Sequence, residues 1–285
     1  MARRKTSKKK LTAPRIIVIL VIVIGYALWA QCNDNNRTAG TETVESSEPA
    51  TQAITGNLLK VKMPGDIASV EKQYRGMDIS FNPKKHIPNW VAWELTDEET
   101  YGKVPRADSF ASDPTVAGCP EPADYTNSGY DRGHMAPAGD MKWDSQAMEQ
   151  TFYLTNILPQ DHALNTGTWR TIEEKSRKWA QAFGEIYIVC GPVPSARAKE
   201  YIGDTRVFVP RELFKVIIAP SARMGIGFLM PNARVEGGMQ KCVVSIDSVE
   251  SVTGYDFFSA LPDDIERDIE SQHNLNKWNT ARKRK

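Results

Sequence analysis

The feature that most constrains the fold is a series of closely spaced strand-like runs in the last third of the chain. Four of these runs are rich in β-branched and aromatic residues and are separated by turn residues. They are 206–210, 213–220, 225–232 and 241–247. Because the gaps between them are too short for crossover helices, they predict consecutive antiparallel strands.

Earlier runs extend the strand pattern, and one amphipathic segment interrupts it. The earlier runs are 77–82, 89–95 and 185–191. Residues 168–184 place apolar side chains at helical spacing and end at a glycine, which predicts the main helix. The remaining helical segments are a short turn at 248–254 and a helix at 263–272. Strands, one central helix and further strands together predict an α+β domain.

The N-terminus has the pattern of a membrane-targeting segment. Residues 1–15 carry seven cations and no acid, and residues 16–30 are fifteen apolar residues without a charge. A membrane span needs about twenty residues, and a cleaved signal has an apolar region of about 7–15. Because Trp29 precedes Ala30, a small-residue cleavage site is poorly formed. We favour a single-pass signal-anchor over 16–32, with a cleaved signal peptide or a lipidated N-terminus as the alternative.

This topology divides the chain into four segments. The positive-inside rule leaves residues 1–15 in the cytoplasm and puts the main domain outside it, so that a cleaved version is secreted or periplasmic. Residues 33–59 are rich in polar residues and predict a disordered linker. Residues 60–285 then form one domain, with 28 Lys and Arg against 31 Asp and Glu. Any nucleic-acid contact therefore requires a local cluster of basic side chains.

The cysteines argue against a zinc site. The four, Cys32, Cys119, Cys190 and Cys242, contain no C-x-x-C pair. Cys190 and Cys242 lie in apolar runs and predict buried thiols. One disulfide is compatible with a domain outside the cytoplasm, and the spacing does not choose the pair.

The segment GYDRGHMAPAGDMKW, residues 129–143, places a histidine directly after an aspartate, an arginine and a glycine, in what we expect to be a loop. Gly133 permits close approach of the backbone or a positive φ. Arg132 supplies a planar cation that suits phosphate, and Asp131 can hold a neighbouring group by a hydrogen bond. With His134 as a base, this combination suits attack on an anionic ester. A structural histidine is the alternative.

A second polar set lies about thirty residues further on. Asn165, Trp169 and Glu173 are spaced i, i+4, i+8, and they share one stripe if the helix already includes Asn165. An asparagine and a carboxylate suit Mg²⁺, which prefers oxygen ligands and retains several waters. The alternatives are a helix N-cap for Asn165 and a solvated charge for Glu173. For Asn156 the alternative is a turn hydrogen bond.

Several ordered segments resemble one known family. DRGHMAPAGDMKW, TFYLTNILPQ and LNTGTWRTIEEKSRKWA are similar to the DNA/RNA non-specific endonuclease family, the sugar-non-specific ββα-metal nucleases related to mitochondrial endonuclease G. NWVAWELT, VPRELFKVI and SIDSVESVTGYDFFSALPDDIE resemble further blocks of that family in order. The similarity covers roughly residues 65–273. It implies an α+β, ββα-metal (His-Me finger) nuclease fold with a central, mostly antiparallel sheet flanked by helices.

The resemblance implies a role for each residue of the two polar sets. His134 matches the general base that takes a proton from the attacking water, and Asn165 matches the direct ligand of a single Mg²⁺. Glu173 matches the glutamate that holds a water of that metal. Arg132 matches an arginine that contacts the phosphate, and Arg106 one that stabilises the pentavalent phosphate. The supporting residues are Asp131, Gly133 and Asn156.

The implied activity is Mg²⁺-dependent hydrolysis of phosphodiester bonds in DNA and RNA. Mn²⁺ or another divalent cation is expected to substitute, and family analogy adds a homodimer. The expected partners are DNA, RNA and, through the N-terminal segment, a membrane. The alternatives are a catalytically silent, membrane-tethered nucleic-acid-binding protein on the same fold and a phosphodiesterase for smaller substrates. A serine hydrolase is disfavoured because the chain has no G-x-S-x-G motif.

Overall fold

A computed structural model of the protein describes residues 57–280. The predicted segments 1–15 and 16–32, and all but the last three residues of 33–59, lie outside these described residues. Within residues 57–280, no helix is both long and apolar enough to cross a membrane.

A seven-stranded antiparallel sheet forms the centre of the domain. In chain order the strands are β1 (Val70–Gln73), β2 (Asp78–Asn82), β3 (Ile87–Thr96), β4 (Asp131–His134), β5 (Ile157–Gln160), β6 (Glu185–Pro192), β7 (Glu200–Ile202), β8 (Val207–Val209), β9 (Glu212–Ala219), β10 (Met224–Pro231) and β11 (Val243–Val244). The large sheet has the order β1-β2-β3-β6-β9-β10-β11, and β4-β5 and β7-β8 form two small antiparallel pairs.

The predicted order of the last four runs is confirmed for three of them. Antiparallel pairs join β9 to β10 and β10 to β11. The prediction is wrong for 206–210, because β8 pairs with β7 outside the large sheet. Both edges of β9 are already occupied, one by β6 and the other by β10. Strand β8, which precedes β9 in the chain, therefore has no free edge of β9 to join.

Within residues 57–280, five α-helices accompany the strands. They are α1 (Ser145–Gln150), α2 (Arg170–Phe183), α3 (Ile246–Thr253), α4 (Asp263–Glu270) and α5 (Leu275–Thr280). The main helix α2 ends at Gly184, whose φ of 93° is readily adopted by glycine. A π-helical turn, Leu164–Trp169, precedes it, and Gly167 has non-helical dihedral angles there. The expected helical stripe through Asn165 is therefore kinked.

Apolar side chains leave the large sheet on both faces, as the two-residue period of a strand requires. On β3, Val91 and Trp93 belong to one buried cluster, whereas Trp90 and Ala92 belong to another. The first cluster packs against α2 and the second against α3 and α4. The sheet thus lies between helices, which confirms the α+β architecture with flanking helices.

The segment expected to be a loop at Asp131–His134 is instead a short strand. It pairs with β5, with Asp131 opposite Gln160 and His134 opposite Ile157. The indole Nε1 of Trp169 donates a 3.2 Å hydrogen bond to the backbone oxygen of His134, which ties this pair to the start of α2. Strands β4 and β5 with helix α2 form the ββα unit.

Candidate active site

A cleft of about 340 Å³ lies where the end of β4 faces the start of α2. It brings together the five residues that the sequence predicts to be catalytic or metal-binding, namely Arg106, Arg132, His134, Asn165 and Glu173. Its other charged lining residues are Arg170, Glu174 and Arg177. The three predicted supporting residues, Asp131, Gly133 and Asn156, do not line it.

His134 is held in an aromatic environment at the cleft. Its ring centroid lies 5.3 Å from that of Phe110 and 4.9 Å from that of Phe152. Nε2 is buried and has no hydrogen-bond partner among residues 57–280. Burial, assisted by the nearby Arg106 cation, lowers the pKa of His134 to about 3. The imidazole is therefore neutral at physiological pH and able to accept a proton.

Asn165 is oriented by a carboxylate. Its Nδ2 donates a 2.8 Å hydrogen bond to Asp131 Oδ2, and His162 Nδ1 lies 2.9 Å from the same oxygen. The side chain does not cap α2, which has Trp169 at its N-cap position. Within the described part of the chain, Asn165 Oδ1 makes no hydrogen bond. With its amide fixed in this way, that carbonyl oxygen remains available as a ligand for a hard cation.

Glu173 lies on α2 and is partly buried at the wall of the cleft. Burial raises the pKa of Glu173 to about 7, and the nearby Asp140 carboxylate adds to this effect. The cations of Lys215 and Arg177 oppose it. Glu173 is therefore not a fully solvated helix charge, and its carboxylate is close to its protonation midpoint at neutral pH.

An ion pair joins the cleft wall to a buried carboxylate. Asp140, which is 1% exposed, accepts hydrogen bonds from Arg177 Nη1 at 2.7 Å and from Trp93 Nε1 at 3.1 Å. Lys215 is equally buried, and its Nζ lies 4.1 Å from the ring centroid of Trp169. These contacts hold the Arg177 guanidinium at the cleft wall.

Four arginines give the cleft its positive character. Arg132 Nη2 donates a 2.8 Å hydrogen bond to the backbone oxygen of Pro122. The guanidinium of the exposed Arg106 lies 4.9 Å from the ring centroid of Phe152. Arg170 and Arg177 project from α2. This is the local basic cluster that phosphate binding requires in a domain without overall positive charge.

The profile of the DNA/RNA non-specific endonuclease family matches residues 54–264. This chain belongs to that family. The resemblance inferred from its motifs is therefore confirmed.

Nucleases from distant organisms match the chain. It is 34% identical to the mitochondrial nuclease EXOG of Mus musculus, over 70% of this chain and 59% of that protein. It is also 34% identical to a nuclease of Nostoc sp., over 73% of this chain and 79% of that protein. The chain thus matches about three fifths of the length of the mouse relative. A crystal structure of an EndoG/EndoGI complex aligns with TM-score 0.66 and 28% identity, covering 75% of this chain and 94% of that one.

Two predicted supporting residues of this non-specific endonuclease family member, Gly133 and Asn156, contact the segments next to His134. A Cβ on Gly133 would lie 2.5 Å from Gln160 Cβ, so close packing against the facing strand requires the glycine. Asn156 is fully buried, and its Oδ1 accepts from Ala136 N at 2.9 Å. Its Nδ2 donates to the backbone oxygens of Ala136 and Thr151. Both residues fix the strand and turn around His134.

Sequence reasoning did not select Arg170, Glu174 or Arg177 as lining residues. Arg170 and Arg177 stand three residues before and four residues after Glu173, which puts them on the same helix face. That spacing is the signal that could have identified them. The buried partner of Arg177, Asp140, lies 37 residues away in sequence and gave no local signal.

Proposed function

We propose that this chain is a metal-dependent nuclease that hydrolyses phosphodiester bonds of DNA and RNA without sequence specificity. The observation that carries the proposal is the cleft in which a neutral His134 faces four arginines and the oriented carbonyl of Asn165. Membership of the non-specific endonuclease family supports the same activity.

The oxygen donors in the cleft fit Mg²⁺. This ion binds proteins through few side-chain oxygens. Asn165 Oδ1 suits it because Asp131 fixes the amide and leaves the carbonyl oxygen without a hydrogen bond among the described residues. Glu173 supplies a second oxygen-bearing side chain in the same cleft. A bound divalent cation offsets the negative charge that develops on the phosphate and on the leaving oxygen.

Side chains of the protein supply the base and the positive charges that the reaction also needs. His134 accepts the proton of the attacking water, and the Trp169 hydrogen bond together with the two phenylalanine rings restricts its position. Arg132 and Arg106 neutralise the non-bridging oxygens of the phosphate. Contacts of this kind read the backbone of the nucleic acid and not its bases, so cleavage should depend steeply on salt concentration.

Digestion of plasmid DNA and of RNA with Mg²⁺, with and without a chelator, tests the activity. We expect the parent to cleave both polymers, and His134→Ala to reduce the rate by about 10²–10⁴-fold or more because the general base is lost. His273→Ala, which alters an exposed histidine outside the cleft, is the matched control and should retain the parental rate. Parental cleavage by His134→Ala would refute the assignment of the base. Binding of nucleic acid without cleavage by the parent would favour the silent-binder alternative.

We also propose that residues 16–32 anchor the chain in a membrane as a single-pass segment, with the nuclease domain outside the cytoplasm. The support is the basic run 1–15 followed by fifteen apolar residues. Membrane fractionation, with protease added to intact cells, tests this placement. Recovery of a shortened chain in the medium or periplasm, or of a lipid-modified Cys32, would favour the alternatives.

Family analogy further supports a homodimer. The chain has a mass of 31.9 kDa. Light scattering of the purified protein should therefore give about twice this mass, whereas a monomeric mass contradicts the dimer.

A further inference from the structure

A cluster of three carboxylates lies away from the cleft, on the side of the large sheet covered by α3 and α4. One carboxylate oxygen from each of Asp247, Glu250 and Glu270 lies within 4.8 Å of the others. Asp247 is exposed, Glu250 is half-buried and Glu270 is buried. The cluster therefore extends from the surface into the protein.

Local structure brings the three residues together. The side chain of Ser245 caps α3 by accepting a 3.1 Å hydrogen bond from Ser248 N. Asp247 and Glu250 stand three residues apart on that helix and share one face. Glu270 is the last residue of α4. Both helices pack against β10, which places their acidic residues side by side.

Glu270 is the residue that most strongly indicates a bound ligand. It is only 5% exposed, and its Oε1 is buried without a hydrogen-bond partner in residues 57–280. No ion pair of the described residues involves Asp247, Glu250 or Glu270. The carboxylate also stands at the negative end of the α4 dipole, where an anion is unfavourable.

Burial and mutual repulsion disfavour the charged forms of the carboxylates in the cluster. Burial, followed by the neighbouring carboxylates, raises the pKa of Glu270 to about 9. Burial also raises the pKa of Glu250 to about 7, although Phe257 N donates a 2.8 Å hydrogen bond to its Oε1. A buried carboxylate in such surroundings requires either a proton or a cation.

We propose that Asp247, Glu250 and Glu270 bind a calcium ion that links α3 to α4. Calcium takes six to eight oxygen ligands at about 2.3–2.6 Å, so oxygens up to about 5 Å apart can share one ion. Three carboxylates on two helices suit this flexible coordination better than that of magnesium, which keeps several waters and uses one or two carboxylates. The inference does not depend on the proposed nuclease activity.

Calorimetric titration of the full chain with CaCl₂, together with thermal unfolding in calcium or in chelator, tests the site. Glu270→Gln keeps the shape of the side chain and removes its charge, and Glu250→Gln keeps an acceptor for Phe257 N. Asp264→Asn makes the same charge change at an exposed position of α4 and is the matched control. Comparing these variants isolates this site from any calcium bound in the cleft.

We expect the parent and Asp264→Asn to bind calcium at this site and to melt at a higher temperature with calcium than with chelator. Glu270→Gln and Glu250→Gln should weaken this binding by about tenfold or more, since even outer-shell partners of a metal have effects of about that size. In chelator, Glu270→Gln should melt no lower than the parent at pH 8, because the buried amide needs neither a proton nor a cation to offset a charge. Unchanged calcium binding in Glu270→Gln would overturn the proposal. So would a difference between the parent and Glu270→Gln in the binding of MgCl₂ but not in the binding of CaCl₂.

Discussion

Asp131 Oδ2 accepts a 2.8 Å hydrogen bond from the side-chain amide of Asn165, a residue 34 positions further along the chain. The contact joins the first residue of β4 to the turn that precedes α2. The strand that ends in the proposed base and the turn that carries the proposed metal ligand are therefore fixed relative to each other.

Removal of the Asp131 carboxylate should weaken Mg²⁺ binding more than it lowers the cleavage rate at saturating Mg²⁺. In Asp131→Ala the amide of Asn165 is free to rotate, so the Mg²⁺ concentration for half-maximal cleavage should rise by about 10–100-fold. The rate at saturating Mg²⁺ should remain near that of the parent. Initial rates of plasmid cleavage over a range of MgCl₂ concentrations measure both quantities.

His162 provides the control for this prediction. It contacts the same oxygen of Asp131 at 2.9 Å, but its side chain is 74% exposed and it makes no hydrogen bond to Asn165. His162→Ala should therefore leave the Mg²⁺ dependence unchanged. If Asp131→Ala instead lowers the rate equally at every Mg²⁺ concentration, the carboxylate does not act through the metal ligand.

The imidazole of His134 should remain neutral far below neutral pH. Its folded-state pKa is lowered to about 3 by burial and by Arg106, whereas an unfolded histidine titrates near about 6.5. The unfolded chain thus binds more protons between these values. The stability due to this residue is present above about pH 6.5 and is lost as the pH falls toward 3.

NMR of ¹⁵N-histidine-labelled, metal-free protein between pH 5 and 8 tests this state directly. The ring signals of His134 should stay constant over this range, and they should titrate with a midpoint near about 6.5 in the urea-unfolded chain. A folded-state midpoint between pH 6 and 7 contradicts the buried, neutral base.

Local pattern accounts for much of this fold. The apolar runs of β3, β6, β9 and β10 lie near their predicted positions, and the amphipathic spacing found α2 to within about two residues. These elements bury long apolar stretches, so their periodicity is strong. The pairing of 206–210 was wrong because the occupancy of sheet edges is a property of the whole topology.

The local sequence pattern predicts less of the site than of the fold. The motif around His134 and the polar spacing of Asn165 and Glu173 identified residues that meet in one cleft. The contacts that position them are long-range, such as Asp140 with Arg177 and Asn156 with Ala136. The spacing of residues along the chain does not predict such contacts. The short strand at Asp131–His134 was missed because it is defined by its partner β5 and not by its own composition.

The ion pair of Asp140 and Arg177 should contribute strongly to stability. Asp140 is fully buried, and its oxygens accept from Arg177 and from Trp93. Asp140→Asn leaves the Arg177 cation without its partner, which should lower the free energy of unfolding by about 3 kcal/mol. Urea unfolding followed by tryptophan fluorescence measures the change.

An exposed pair on the same helix is the comparison. Arg170 Nε lies 3.0 Å from Glu174 Oε1, with both side chains more than half exposed. Glu174→Gln should change the free energy of unfolding by only about 0.3–0.5 kcal/mol. Equal effects of the two substitutions would show that burial does not strengthen the Asp140 contact.

Gly133 should not tolerate even one methyl group. A Cβ at this position would lie 2.5 Å from Gln160 Cβ, and Gln160 is fully buried in the facing strand. Gly133→Ala should therefore force β4 away from β5 and lower the free energy of unfolding by about 1–3 kcal/mol. Because β4 ends at His134, the cleavage rate should fall as well.

Gly65→Ala supplies the reference, since nothing lies within 4 Å of a Cβ there. It should stay within about 0.5 kcal/mol of the parent, as surface substitutions usually do. Adding Gln160→Ala to Gly133→Ala removes the end of the glutamine side chain but keeps its Cβ, so stability should recover only in part. Full recovery of the free energy of unfolding in the double variant, measured by urea unfolding, would show that the added methyl group clashes only with the outer atoms of the Gln160 side chain. No loss in Gly133→Ala would show that packing against β5 does not require the glycine.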